Sequence, residues 1–192
     1  MSNNSATNPS DVTAILVRAL VLYALAEFQS GNASTLRVSA EGCSFSVSDD
    51  GRGHAIDRNV AGKAYLPFIY THLEYPFAAG ESSPVQLHGI GMSVLNALCS
   101  ELSVVVQKKT VTLFLNYRGG YLYEDLRTDN ENEATGTAVS GKVSSHIQRA
   151  ETNVIGIEHW LTGILGANPG LKLYFNEKEL HALHAVSNRG DR

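Results

Sequence analysis

Residues 46–57 read SVSDDGRGHAID: an apolar-polar alternation stops at two aspartates and is followed by two glycines that bracket Arg52. Neighbouring carboxylates repel and glycine packs nothing into a core, so this strand end suits a ligand better than an interior. Two more glycine turns follow, QLHGIG at 86–91 and TGT at 135–137. Amides at a helix start lack partners and lie at the positive end of the helix dipole, which makes Gly89, Ile90 and Gly91 candidates to hold an anion. QLHGIG is not a GxxxxGK[ST] phosphate loop, and no strand runs directly into it as a dinucleotide fingerprint requires. The histidines, His54, His72, His88, His146, His159, His181 and His184, show no HExxH or comparable ligand spacing. His181 and His184 read as solvated surface residues.

These residues need elements to hold them. Ser10 or Asp11 can cap a helix that runs to about Gln29 and ends at SGN. TLRVSA and SFSVSD alternate as paired strands around an EGC turn, which places the aspartates just after a strand. Residues 58–75 read as helix, and PFAAGESSP after them as a mobile loop. The glycines at 89 and 91 open an apolar helix with Met92, Leu95, Leu98 and Leu102 at helical spacing. Three β-rich runs follow, LSVVVQKK, TVTLFLNYRG and GYLYEDLRT, then the acidic loop DNENEA and a fourth run, TGTAVSGKV. A helix at about 152–165 and a strand, LKLYFN, complete the pattern. The expected fold is α+β, with helices beside a mostly antiparallel sheet. Residues 1–10 read as a disordered tail, 11–184 as one domain and 185–192 as a polar tail.

Composition narrows the function. The 192 residues can bury a full core without staples. Cys43 and Cys99 have no metal-ligand or CxxC spacing and read as free buried thiols in a reducing, cytoplasmic compartment. A net charge of −4 argues against direct contact with nucleic acid, which calls for a basic stripe. The most membrane-like stretch, 12–28, is interrupted by Arg18 and Glu27, so it reads as a core helix and no membrane partner is expected.

Taken in order, the three turns resemble the GHKL ATP-binding superfamily, and most closely the ATPase domain of the gyrase B and topoisomerase IV B proteins. SVSDDGRG is similar to that family's adenine-binding D-x-G-x-G turn, QLHGIGMSVLNALCSELSV to its G-L-H-G-V-G lid helix, and TGTAVSGKV to its G-T-x-V strand. The resemblance implies a two-layer sandwich with helices on one face of the sheet, and ATP or ADP as ligand. It implies that Asp49 accepts the adenine amino proton, with Thr137 supporting that contact. Gly51 and Gly53 would let the backbone pass close to the base, and Ile69 would pack on the ring. Leu87, His88, Gly89, Ile90 and Gly91 would hold the phosphates, with Arg52 and Asp50 flanking the site; a solvated surface role for Arg52 stays open.

The resemblance fails on the first helix. The family's E-x-x-x-N puts a water-activating glutamate and a Mg²⁺-binding asparagine on one helix face. Ala19 and Tyr23 stand at those positions. Alanine offers no base, and an ordinary tyrosine is a poor ligand for a hard cation. Glu27 and Asn32 are five apart and do not restore the pattern. Gln86 replaces a lid glycine, and Ala55 replaces the proline that usually follows the turn. No catalytic or metal-binding residue is therefore assigned. Three readings stay open: a nucleotide-binding domain that hydrolyses poorly and serves as a regulatory or partner-binding module, with another protein chain as a candidate partner; an active ATPase domain of a divergent type II topoisomerase; and a vestigial pocket with a purely protein-interaction role.

Overall fold

The computed structural model describes residues 8–60, 62–72, 86–87, 90–131 and 133–182. The tail and loop expectations for 1–7, 76–84 and 185–192, and the positions of His88 and Gly89, lie outside those residues.

Asp11 caps the first helix, α1 (Val12–Gln29), by accepting from the Ala14 amide at 3.1 Å. Its other carboxylate oxygen accepts from the Asn153 amide at 2.8 Å, tying the helix start to a distant segment. α1 is apolar on nearly every side, as a helix packed on more than one face must be. It is long and apolar enough to cross a membrane, yet Leu16, Val17, Leu20 and Val21 are almost wholly buried in the core. β1 (Thr35–Glu41) and β2 (Ser44–Asp49) follow as the expected hairpin around Gly42, which sits at φ +55°.

Residues 58–75 are not one helix. A short hairpin of β3 (Asn59–Val60) and β4 (Lys63–Ala64) precedes a shorter helix, α2 (Tyr65–Thr71). Gly62 at φ +76° takes a left-handed conformation that a helix interior forbids. β5 (Gln86–Leu87) pairs with β6 (Ile90–Gly91), and α3 (Met92–Leu98) follows. The expected longer helix stops there, because Leu102 belongs to β7 (Cys99–Gln107). Leu102, Val104 and Val106 alternate inward, and the two-residue period overrides the helical spacing. β8 (Val111–Arg118), β9 (Tyr121–Asp129), β10 (Gly136–Val143), α4 (Val154–Ala167), β11 (Lys172–Phe175) and β12 (Lys178–Glu179) follow in chain order.

Eight strands form one sheet in the order β12-β11-β1-β2-β10-β7-β8-β9. Every pairing within it is antiparallel except that of β1 with β11. Leu36, Val38, Phe45, Val47, Val104, Val106, Leu113, Leu115, Val139 and Leu173 are buried strand residues of the core. On β2, Asp49 has the same parity as Phe45 and Val47, so its carboxylate enters the space between sheet and helices. The α+β expectation, with a mostly antiparallel sheet and helices against one face, holds.

Candidate functional site

β2 runs out at Asp49, and its cross-strand neighbours there are Leu36 on one side and Thr137 on the other. Thr137 is buried at the start of β10. Two glycines make this close approach possible. Gly136 sits at φ +147°, and a Cβ on it would lie 2.1 Å from the Asp49 carbonyl oxygen. Gly53 sits at φ +70°, and a Cβ there would lie 2.7 Å from the Gln107 carbonyl oxygen. No side chain fits at either place, so the DDGRG turn lies flat against the ends of β7 and β10.

The two aspartates divide the work. Asp50 accepts from the Ser34 amide at 2.7 Å, the Ser34 hydroxyl at 2.6 Å and the Thr35 amide at 2.9 Å, which fastens the start of β1. Partial burial works to raise its carboxyl, but the Ser34 and Thr35 donors outweigh that and hold it below the usual range. Asp49 accepts from the Gly51 amide at 2.8 Å. Its burial pushes the carboxyl up to about 6; the Gly51 and Thr137 amides pull it down, while the charges of Glu27 and Asp50 push it further up. Carboxyls perturbed in this way gather at functional sites, and among the described residues no cation pairs with Asp49.

Arg52 points back to α1. Its Nη2 lies 2.9 Å from Glu27 Oε1 and its Nε 3.2 Å from Oε2, although the arginine side chain is 66% exposed. That hydrogen-bonded pairing holds the Glu27 carboxyl below the usual range. Lys108 donates to the Arg52 and Gly53 carbonyls, both at 2.8 Å, and so holds the turn from the other side. Glu27 is thus a partner of the turn.

Ala19 is buried in the core. One turn later, the Tyr23 hydroxyl lies 2.9 Å from His54 Nδ1, and the two rings stack at 5.0 Å. The His54 amide donates to Thr137 Oγ1 at 3.2 Å, so one residue links α1, the turn and β10. Burial lowers the His54 imidazole to about 4, with Lys108 adding to the effect and Glu27 opposing it, so the ring is neutral. Burial raises the Tyr23 phenol, helped by Tyr65, Glu27 and Asp49. Among the described residues, His54 Nε2 is buried without a hydrogen-bond partner.

The structure therefore brings Asp49, Gly51, Arg52, Gly53 and Thr137 together. Ile69 lies on the buried side of α2, in the core. Leu87 and Ile90 fall on β5 and β6, and Gly91 immediately precedes α3. Sequence reasoning missed the roles of Glu27, His54 and Lys108. Glu27 lies four residues after Tyr23, one turn along the same helix, which was a usable signal. For His54 and Lys108 there was none, since their partners are distant in the chain.

An adenine fits this end of the site. It would meet an acceptor in Asp49, a hydroxyl in Thr137 and bare backbone at Gly53 and Gly136. Mg²⁺ does not fit the helix position the resemblance assigns to its ligand, because Tyr23 keeps its proton and is joined to a neutral histidine. Among the described residues, no three His, Cys, Asp or Glu side chains group as metal ligands.

No family model matches the chain. Its sequence is 34% identical to the DNA gyrase B protein of Streptococcus pneumoniae over 129 residues, 65% of this chain and 20% of that protein. It is 32% identical to the DNA topoisomerase 4 B protein of Staphylococcus epidermidis over 126 residues, 64% of this chain and 19% of that protein. The gyrase B protein of Staphylococcus epidermidis is 32% identical over 148 residues, 74% of this chain and 23% of that protein. The chain spans about a fifth of the length of these curated relatives. In three dimensions it superposes on the topoisomerase IV ATP-binding domain of Francisella tularensis, solved with a small-molecule inhibitor, at a TM-score of 0.74 and 19% identity. That match covers 91% of this chain and 87% of the other.

Proposed function

We propose that this chain, a member of the GHKL superfamily related to the B proteins of DNA gyrase and topoisomerase IV, binds adenine nucleotide through the Asp49 turn and does not hydrolyse it efficiently. The observation that carries the reading is the contrast between the two ends of one site. At the β2 end, Asp49 is held partly buried beside Thr137, with no cation paired to it among the described residues, on a turn that only glycine permits. At the α1 end, the places of the water-activating and metal-binding residues hold a buried alanine and a tyrosine joined to His54.

Asp49 accepts the exocyclic amino group of the base, and the Thr137 hydroxyl supports it. The phosphates are assigned to the Leu87 to Gly91 segment, as the resemblance implies. Among the described residues, no general base stands in position to activate water. Tyr23 is protonated, and the His54 imidazole, lowered to about 4, is a weak base. Losing a positioned base costs about 10² to 10⁴ in rate, and losing the metal anchor removes charge stabilisation as well. The domain acts in the cytoplasm as a regulatory or partner-binding module whose state depends on nucleotide, with a second protein chain as its partner.

Phosphate release by the purified chain, measured beside Asp49→Asn, tests the reading. The expected rate is background in both, while ATP binding by calorimetry is present in the wild type and weakened in Asp49→Asn by about 1.5–3 kcal/mol. Wild-type turnover that disappears in Asp49→Asn would promote the active-ATPase reading. The double change Ala19→Glu with Tyr23→Asn, showing new turnover, would locate the deficit in α1.

A further inference from the structure

β9 ends the eight-stranded sheet, and among the described residues no strand pairs with its outer edge. An open edge presents a row of amides and carbonyls that template a further strand, and proteins usually blunt such edges with lysine, proline or a bulge. β9 has its bulge at Tyr123, where the register against β8 shifts between Asn116 and Tyr117. Beyond it, residues 124–129 read EDLRTD, with neither lysine nor proline, and pair regularly with β8 on the inner side. The strand is also apolar where water reaches it. Tyr121 is 81% exposed, Tyr123 60% and Leu126 46%, three of the five exposed large apolar side chains among the described residues. Leu126 stands opposite Phe114 of β8, so the apolar strip continues into the sheet.

Independently of the adenine-binding reading, we propose that this edge pairs antiparallel with the same edge of a second copy of the chain, centred on Leu126, to give a dimer with one continuous sheet. A two-fold axis perpendicular to the sheet sets one residue opposite itself, and the residues on either side of it then oppose one another. Opposite charges directly across a strand pair stabilise it and like charges destabilise it, so the charges select the centre. Centring on Glu124 or on Asp125 brings two carboxylates together, and centring on Arg127 brings two guanidinium groups together and sets Asp125 against Asp129. Centring on Thr128 sets Arg127 against Asp129 but leaves only three residues of the strand, Arg127, Thr128 and Asp129, in register. With Leu126 at the centre, Asp125 faces Arg127 on both sides of the axis and Glu124 faces Thr128. Leu126 then packs on its own copy, beside Phe114 of each chain. Arg127 is already oriented. It donates to the Ile56 carbonyl at 2.7 Å and to the Asp57 carboxylate at 3.2 Å, while its side chain stays 48% exposed. Asp125 is exposed as well.

Sedimentation equilibrium of the whole chain tests this. One strand pair is an interface at the small, transient end of the range, so the average mass should rise from that of one chain towards that of two as concentration is raised to about 500 µM. Asp125→Arg sets arginine against arginine twice and should weaken the dimer at least about tenfold, and Arg127→Asp should do the same with carboxylates. Mixing these two variants, each shown to be folded by circular dichroism, should restore a dimer, because every opposed pair then carries opposite charges. A second measurement does not depend on Arg127. Leu126→Cys should cross-link with its own copy on mild oxidation at least about tenfold faster than Thr128→Cys, since only the residue on the axis faces itself. A chain that stays monomeric throughout, a dimer that Asp125→Arg leaves intact, or equal cross-linking at 126 and 128 overturns the proposal. So does protection of the β9 amides from hydrogen exchange in dilute, monomeric chain, which would show that another segment of the same chain covers the edge.

Discussion

Replacing Asp49 by asparagine should make the protein more stable while weakening its binding of adenine. The folded carboxyl titrates near about 6, because burial and the neighbouring Glu27 and Asp50 charges disfavour its ionised form. An unfolded aspartate titrates near about 3.9. The sign follows from proton uptake. Between those two values the native state holds a proton that the unfolded state has released, so stability falls as pH rises through the window. Above about pH 6 the full cost is present, and a difference of this size corresponds to about 3 kcal/mol. Asparagine keeps an oxygen for the Gly51 amide at 2.8 Å but accepts more weakly than a carboxylate, which reduces the gain to about 2 kcal/mol. For a chain of this length that is about 4–8 °C in Tm. Urea denaturation of wild type and variant at several pH values measures it. Glu27 and Asp50 titrate in both proteins, so their contributions cancel in the difference. The gain should be largest at about pH 7.5, about half as large at about pH 5, and close to nothing below about pH 4. A variant less stable than wild type at neutral pH, or a gain that does not change with pH, would refute the account of Asp49 as a carboxylate held against its own preference.

Two further substitutions probe the site's scaffold. Gly136→Ala places a Cβ 2.1 Å from the Asp49 carbonyl oxygen at φ +147°, so it should cost at least about 3 kcal/mol in chemical denaturation. Tyr23→Phe removes the hydroxyl from His54 Nδ1 while keeping the ring stack, and should cost about 1 kcal/mol. In that variant the His54 imidazole stays neutral at pH 7 by NMR titration, because burial is its main perturbation.

Much of the site was legible because it breaks local rules. Asp49, Gly51, Gly53 and Thr137 interrupt strand alternation with residue types that a core would not choose, and the structure gathers them at one sheet end. The pairing of β1 with β2 followed from alternation and a glycine turn. The misread elements had two valid periods or an unweighted glycine. Leu98 and Leu102 fit a helix, while Leu102, Val104 and Val106 fit a strand equally well, and sheet pairing decided between them. Within 58–75, Gly62 outweighed the apolar run on either side of it. The contact of Tyr23 with His54 and the hold of Lys108 on the turn join segments far apart in the chain, so no local pattern announces them. Strand β11 was expected, but its parallel place beside β1 is a property of the completed sheet.

The order of the sheet also dictates an order of assembly. Strands β7, β8 and β9 are chain neighbours joined by tight turns, and they can close as they leave the ribosome. The hairpin of β1 and β2 emerges earlier and has no such neighbour; one bare edge waits for β10 and the other for β11. Until then it is a two-stranded unit with open hydrogen-bonding edges, the form most prone to wrong pairing. β10 is the seam that joins this hairpin to the β7–β9 meander. Asp49 and Thr137 face one another across that seam, so they meet only when the two halves of the sheet are joined. A small molecule that touched both would act as a clasp on the seam between the two halves of the sheet, and its concentration would help set how many chains reach the finished fold.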